Sequence, residues 1–219
     1  MLTIYGVYRS RATRPLWLIE ELGLPFKLVP VIQAYRLADS SAPGAPLNSR
    51  SPEFMAINPM GSIPSMDDDG FVLHESLAIT LYLARKHGGA LGPKDIQEEA
   101  LMVQWALFAA TSIEADALAL QTEIGKGGME MAEGREKIAA TAARLERPFG
   151  VLEAHLEANA FMVGNRFTAA DIIMAEIVRY AQDHAPLFTP RPALKTWLET
   201  CQARPAFKAM WEKRMREPA

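Results

Sequence analysis

Asn-Pro-Met-Gly-Ser-Ile-Pro, Asn58 to Pro64, runs directly into a strand signal at Ile63 to Met66. A proline that opens a strand after a glycine-containing loop has a specific backbone use. With a cis bond before Pro64, the Ile63 N–H and C=O turn outward and can pair with an extended peptide like an added strand. Phe71 to Leu73 forms a second short strand, and the Asp67-Asp68-Asp69-Gly70 run between them is a hairpin turn. Glu75 to His87 then reads as a helix stopped by Gly88-Gly89. Upstream, Leu2 to Gly6 is apolar and short enough for a buried strand. Ala12 to Leu22 places Leu16, Ile19 and Leu22 on one helical stripe, with Pro15 near its start and Gly23 at its C-terminal cap. Phe26 to Val31 alternates as another strand, and Gln33 to Arg50, rich in Ser, Ala and Pro, is expected to be irregular.

The order is β-α-β-loop-β-β-α, with a parallel first pair and an antiparallel second pair. That is an α/β arrangement with a mixed four-stranded sheet, and in a thioredoxin-like fold of this order the cis-proline falls where Pro64 lies. Five of 15 prolines lie between Pro43 and Pro64, whereas only Pro148 interrupts the stretch from Pro93 to Pro186. Strand and turn chemistry therefore comes early and long helices late. The spacing predicts an N-terminal domain over 1–87, a linker over 88–92 and an all-helical bundle domain over 93–219. Leu101, Trp105, Phe108, Ser112, Ala115 and Ala119 fall on one helical face. Ile138, Leu145, Phe149, Leu152 and Leu156 mark another helix, expected to bend at Pro148.

The chain has 219 residues, 23 Lys+Arg against 26 Asp+Glu, and one cysteine. A net charge of −3 argues against nucleic-acid binding led by phosphate contacts. Cys201 alone makes no intramolecular disulfide, CxxC pair or cysteine zinc site, and the four histidines lack close ligand spacing, so no metal is expected. No apolar run approaches a membrane span, and the opening residues put apolar before basic, the reverse of a secretory signal. The expectation is a cytoplasmic protein with no membrane partner.

Two clusters stand out beside Pro64. Glu75-Ser76 opens the helix after the hairpin. Such residues cap helices, and they equally suit a ligand carboxylate held by Ser76 and the helix N–H groups while Glu75 takes an amino group. Gly164 to Ile172 contains Thr168 and Asp171 at capping-box spacing, with Phe167 and Ile172 as a hydrophobic staple; this cluster reads as structural.

WLIEELGLPF, SPEFMAINPMGSIP, DGFVLHESLAITLYLARKHG and GNRFTAADI, in this order and spacing, resemble the cytosolic glutathione S-transferase family over nearly the whole chain. The resemblance implies glutathione as co-substrate with no permanently bound cofactor, a small hydrophobic electrophile, a homodimer and a detoxifying role. It implies glutathione contacts from Ile63, Pro64, Glu75 and Ser76. Relatives often carry Lys where Ser62 stands, and Arg50 or Gln33 would take over that carboxylate contact, as would Arg36. The electrophile pocket is expected to involve Tyr8, Arg11, Trp105, Phe108 and Ser112. Trp105 and Phe108 also lie on a core stripe.

Such an enzyme must ionise a thiol of pKa about 8.5. Lowering it by about two units takes roughly 2.7 kcal/mol of preferential thiolate stabilisation, which a helix N-terminus and one hydroxyl supply. Ser10 is the first choice of donor because RSRATRPLW resembles the serine that opens this helix in bacterial members. Tyr5, whose spacing to Trp17 resembles that of the tyrosine-type classes, is second. Arg9, Arg11, Tyr8 and Thr13 stay open as thiolate or carboxylate contacts. No cysteine lies at this helix start, which disfavours the relatives that use a protein nucleophile there. A maleylacetoacetate-isomerase-like enzyme and a non-catalytic binding module on the same fold remain alternatives.

Overall fold

In a computed structural model of the protein, which describes residues 1–218, β1 (Leu2–Tyr5) alternates buried and half-buried side chains, as a strand between two covering layers does. It is an inner strand of a four-stranded sheet in the order β2-β1-β3-β4. β2 (Lys27–Val29) runs parallel to β1 with Ile4 beside Leu28. β3 (Ser65–Asp68) runs antiparallel on the other side, with Ile4 opposite Met66. β4 (Phe71–His74) completes the hairpin, with Met66 opposite Leu73. The hairpin turns through Asp69 and Gly70 at φ 53° and 92°. Both central residues are left-handed, the geometry that matches strand twist and that an Asp-Gly pair accommodates. The Ile63–Pro64 bond is cis.

α1 (Thr13–Leu22) buries Leu16, Trp17, Leu18 and Ile19. It stops at Gly23, which takes φ 61° while the Leu24 N–H returns to the Ile19 carbonyl at 3.2 Å. α2 (Pro52–Met55) is a single turn that enters the Asn58–Pro64 loop, and α3 (Ser76–His87) follows the hairpin. Met1–His87 form one compact unit together with the segment from Pro205 onward; Gly88–Arg204 form the other. The boundary thus differs from a helical domain running over 93–219. α10 (Pro205–Arg216) packs on α1, with Phe207 against Trp17 at 4.8 Å between ring centroids and Lys213 paired with Glu20. Its amphipathic pattern asks for an apolar surface without naming which one.

The second unit contains α4 (Ile96–Ser112), α5 (Glu114–Gly125), α6 (Ala132–Ala158), α7 (Ala169–Val178), α8 (Ala185–Phe188) and α9 (Pro192–Ala203). The helical face expected from Leu101 to Ala119 is broken. Ile113 takes φ −127° between α4 and α5, and the buried stripe is Met102, Trp105, Ala106 and Ala109, leaving Leu101 at 43% exposure. α6 runs unbroken through Pro148. Every residue of α7 is buried, and its start is fixed by the Thr168–Asp171 capping box. The Asp171 carboxyl accepts from the N–H groups of Met162 and Thr168 and from Trp197 Nε1, each at 2.9 Å. α9 has no side-chain cap of its own; Glu153 on α6 accepts from Ala193 N–H at 3.1 Å and Leu194 N–H at 2.8 Å instead. Glu98 receives Arg166 Nη1 at 2.9 Å and Nη2 at 2.6 Å, and this guanidinium also reaches the Gly92 carbonyl at 2.8 Å. Those bonds hold the Glu98 carboxyl at a pKa of about 2 against its ordinary 4.5.

Asp171→Ala removes a cap and leaves buried donors without an acceptor. Urea unfolding should show a loss of roughly 3 kcal/mol, with Asp171→Asn losing less. Glu98 is a carboxylate with a depressed folded pKa. Its contribution is present above pH 4.5 and lost as pH falls toward about 2. Thermal melts across that window should show a smaller acid-induced decline in Glu98→Gln than in the unaltered protein.

Candidate functional site

Gly6 ends β1 and lets the following loop pass close to the cis-proline. A Cβ added there would lie 3.2 Å from Ala12 Cβ and 3.7 Å from Pro64 Cα. Gly6 also holds both sides of the β1–β2 pair, donating to Val29 O at 3.0 Å and accepting from Val31 N–H at 3.4 Å. The Asn58–Pro64 loop is shaped from within by Asn58. That side chain is fully buried, donates to Ser62 O at 2.7 Å and accepts from Met60 N–H at 3.0 Å. Ile63, half-buried, precedes the sheet ladder that begins at Ser65.

Across from this edge, Ser76 is buried at the first position of α3. Its Oγ accepts from Arg14 Nη1 at 2.9 Å, and Arg14 is itself 1% exposed. Glu75 beside it is exposed and takes φ 68°. A non-glycine residue in the left-handed region persists only where its surroundings over-determine it, and such residues concentrate at ligand sites. Glu75 O meanwhile accepts from Ile79 N–H at 2.9 Å, so the turn is locked into the helix start.

Ser10 is half-buried in the loop before α1. Its hydroxyl donates to Val7 O at 2.6 Å and accepts from Ala12 N–H at 3.0 Å. In this rotamer it shapes the helix entry. Tyr5 lies in β1 with its ring 6.5 Å from that of Phe54. Tyr8 is buried, and burial pushes its phenol above the ordinary value, with Lys213 opposing; it stays protonated at neutral pH. Gln33 donates to Arg9 O at 3.0 Å and so braces the same loop from the β2 side, while Arg36 Nη1 reaches Gln33 Oε1 at 3.3 Å. Arg50 and Arg11 are exposed. Arg50 borders a cavity of about 870 Å³ with Tyr35, Asp39 and Asn48, formed by the irregular segment.

Trp105, Phe108 and Ser112 lie on α4 in the other unit. Trp105 is buried against Phe108 and His155, with centroids 5.7 and 4.8 Å away; Phe108 is half-buried and Ser112 exposed. Cys201 is buried on α9. Two residues were missed by the sequence reading. Arg14 sits in an otherwise apolar helix face, and that mismatch is a signal. Glu217, which bonds to the loop at Tyr8 and Arg9, carries none.

The model of the glutathione S-transferase N-terminal domain matches residues 8–86, and that of the glutathione S-transferase C-terminal domain matches residues 100–205. Glutathione S-transferase 3 of Zea mays is 32% identical over 218 residues, covering 94% of this chain and 91% of the relative. The chain belongs to the glutathione S-transferase family. Among solved structures, glutathione transferase F7 from Populus trichocarpa superposes with a TM-score of 0.80 at 26% identity, covering 98% of this chain and 99% of that one. Elongation factor 1-gamma of Carassius auratus is also similar, 34% identical over 172 residues, which are 74% of this chain and 36% of that protein. The thioredoxin-like sheet followed by helices is thus the transferase fold, and its two family models meet the chain on either side of Gly88.

In this transferase family member Ser76 has a structural bond in place before any ligand is considered. Ser76→Ala deprives a buried guanidinium of an acceptor and should lower the unfolding free energy by about 2 kcal/mol, read by chemical denaturation without glutathione.

Proposed function

We propose that the protein is a glutathione transferase in which Ser10 stabilises the thiolate and Ile63, Ser76 and Glu75 hold the tripeptide. The observation that carries this reading is the tying together of three segments. Gly6 brings the Ser10 loop against Pro64, and Arg14 joins the start of α1 to Ser76 at the start of α3. A tripeptide laid along Ile63 would place one carboxylate at the α3 N-terminus, where the helix N–H groups and Ser76 favour negative charge. Glu75, exposed beside it, suits the amino group. The thiol then falls toward the β1–α1 loop.

Ser10 must exchange its acceptor, turning its O–H from Val7 O to the sulfur. A hydroxyl bond to a thiolate is charge-assisted and stronger than one to a neutral carbonyl, so ionised glutathione favours the exchange. The sulfur then bonds to an electrophilic carbon. In a substitution the leaving group departs with its bonding electrons; in an addition the carbon takes a proton from water. The reaction balances with no electron carrier. Arg50 and Gln33 are assigned to the remaining carboxylate, and Trp105, Phe108, Ser112, Tyr8 and Arg11 to the electrophile. The working form is proposed as a cytoplasmic homodimer. Among the described residues no helix is long and apolar enough to cross a membrane.

A second reading is a binding module without turnover. The Ser10–Val7 bond favours it. Calorimetric titration with glutathione and conjugation of chlorodinitrobenzene separate the two. Turnover should be measurable, with kcat/KM falling about 10- to 100-fold in Ser10→Ala and staying near the unaltered value in Tyr5→Phe. Binding without turnover, or full activity in Ser10→Ala, would overturn the assignment.

A further inference from the structure

Glu217 lies one residue beyond α10 and reaches the loop that carries Ser10. Its Oε1 accepts from the Tyr8 N–H at 2.8 Å and its Oε2 from the Arg9 N–H at 2.7 Å. Two successive backbone N–H groups aimed at one carboxylate make an anion cradle, and bonds of this length are charge-assisted. The surroundings are basic. Arg9 Nε donates to Glu217 O at 2.9 Å, Arg214 Nη1 to Tyr8 O at 2.7 Å, and Arg36 Nη2 to Pro218 O at 3.0 Å. The carboxylates felt by Tyr8 are Glu20 and Glu217, and Glu20 is already paired with Lys213. If the Glu217 side chain swings out, the Tyr8 and Arg9 N–H donors lose their acceptor, one residue before Ser10, while Arg9 Nε keeps its bond to Glu217 O. A neutral molecule gains little there, whereas a carboxylate recovers the interactions Glu217 gave up.

We propose that the Tyr8 and Arg9 N–H groups form a carboxylate-binding site beside Ser10, filled by Glu217 in this structure, which acidic electrophiles enter by displacing that side chain. The cradle stands on geometry alone; its use by a second substrate rests on the transferase reading. Glu217 is then an internal competitor. The apparent affinity of an acid is reduced by the fraction of time the cradle is open, so removing the competitor tightens binding by the reciprocal of that fraction.

The test has two arms, each comparing the unaltered protein with Glu217→Gln and Glu217→Ala. In the first, benzoate is titrated without glutathione while the backbone amide resonances of Tyr8 and Arg9 are followed by NMR, with benzyl alcohol as the neutral control. Benzoate should shift both amides, with a Kd about tenfold lower in the two variants, and benzyl alcohol should shift neither; tenfold corresponds to about 1.4 kcal/mol. Amides that stay fixed, or an equal Kd in all three proteins, would overturn the cradle. In the second arm, conjugation of chlorodinitrobenzoate is compared with that of chlorodinitrobenzene. The acid-to-neutral ratio of kcat/KM should rise about tenfold in the variants, and an unchanged ratio overturns the substrate assignment. Absence of turnover with both electrophiles in the unaltered protein sinks the transferase reading, while the amide titration still decides the cradle.

Discussion

Arg14 is buried at 1% exposure, where a bare guanidinium is costly, and its Nη1 donates to Ser76 Oγ at 2.9 Å. The bond joins the first turn of α1 to the first residue of α3. Those two helix starts follow β1 and β4, which lie on either side of β3 in the sheet. Fixing them to each other therefore fixes the loop before α1 relative to the turn at Glu75. The cis-proline loop fits between through the close approach of Gly6 to Pro64. A larger residue at Gly6 would push the Ser10 loop off Pro64, and a lost acceptor at Ser76 would loosen α3 from α1. The site is thus held by the same contacts that hold the first unit together.

Much of the fold was legible because its determinants are local. Asp69-Gly70 takes a left-handed turn for reasons contained in four residues, and Gly23 ends α1 for reasons contained in six. Thr168 and Asp171 form their capping box within one helical turn. What escaped the sequence reading depends on distance. α10 covers α1 because Phe207 finds Trp17, nearly the whole chain away, and an amphipathic stripe says only that some partner exists. The break at Ile113 hid inside a regular 4-3 spacing, because periodicity counts positions and does not register one residue leaving the helix. The sequence names Ser10 as a candidate without giving its hydroxyl's direction, and here that hydroxyl donates to Val7 O.

That hydroxyl shows how the site divides between folding and chemistry. In this structure Ser10 satisfies Ala12 N–H and Val7 O, Gln33 satisfies Arg9 O, and Glu217 satisfies two backbone N–H groups. Each residue has an internal partner of the chemical type a ligand would present: a carbonyl or thiolate for the hydroxyl, a carboxylate for the N–H pair. Binding then exchanges one acceptor for another, and the donor keeps a partner throughout. Such an exchange yields only the difference between the two bonds, which favours ligands that are more strongly charged than the internal partner they replace.

The two sides of the candidate site differ in the charge of their internal partners. At Ser76 the internal partner is a cation, so a ligand carboxylate arriving there adds to an existing bond and displaces nothing. At Tyr8 and Arg9 the internal partner is an anion, so an arriving carboxylate must compete. In the proposed site, one end then accepts negative charge directly and the other only by exchange. A ligand carrying carboxylates at both ends meets a threshold at the second that it does not meet at the first. Selectivity between acidic and neutral partners then depends on how firmly a single glutamate holds two backbone N–H groups.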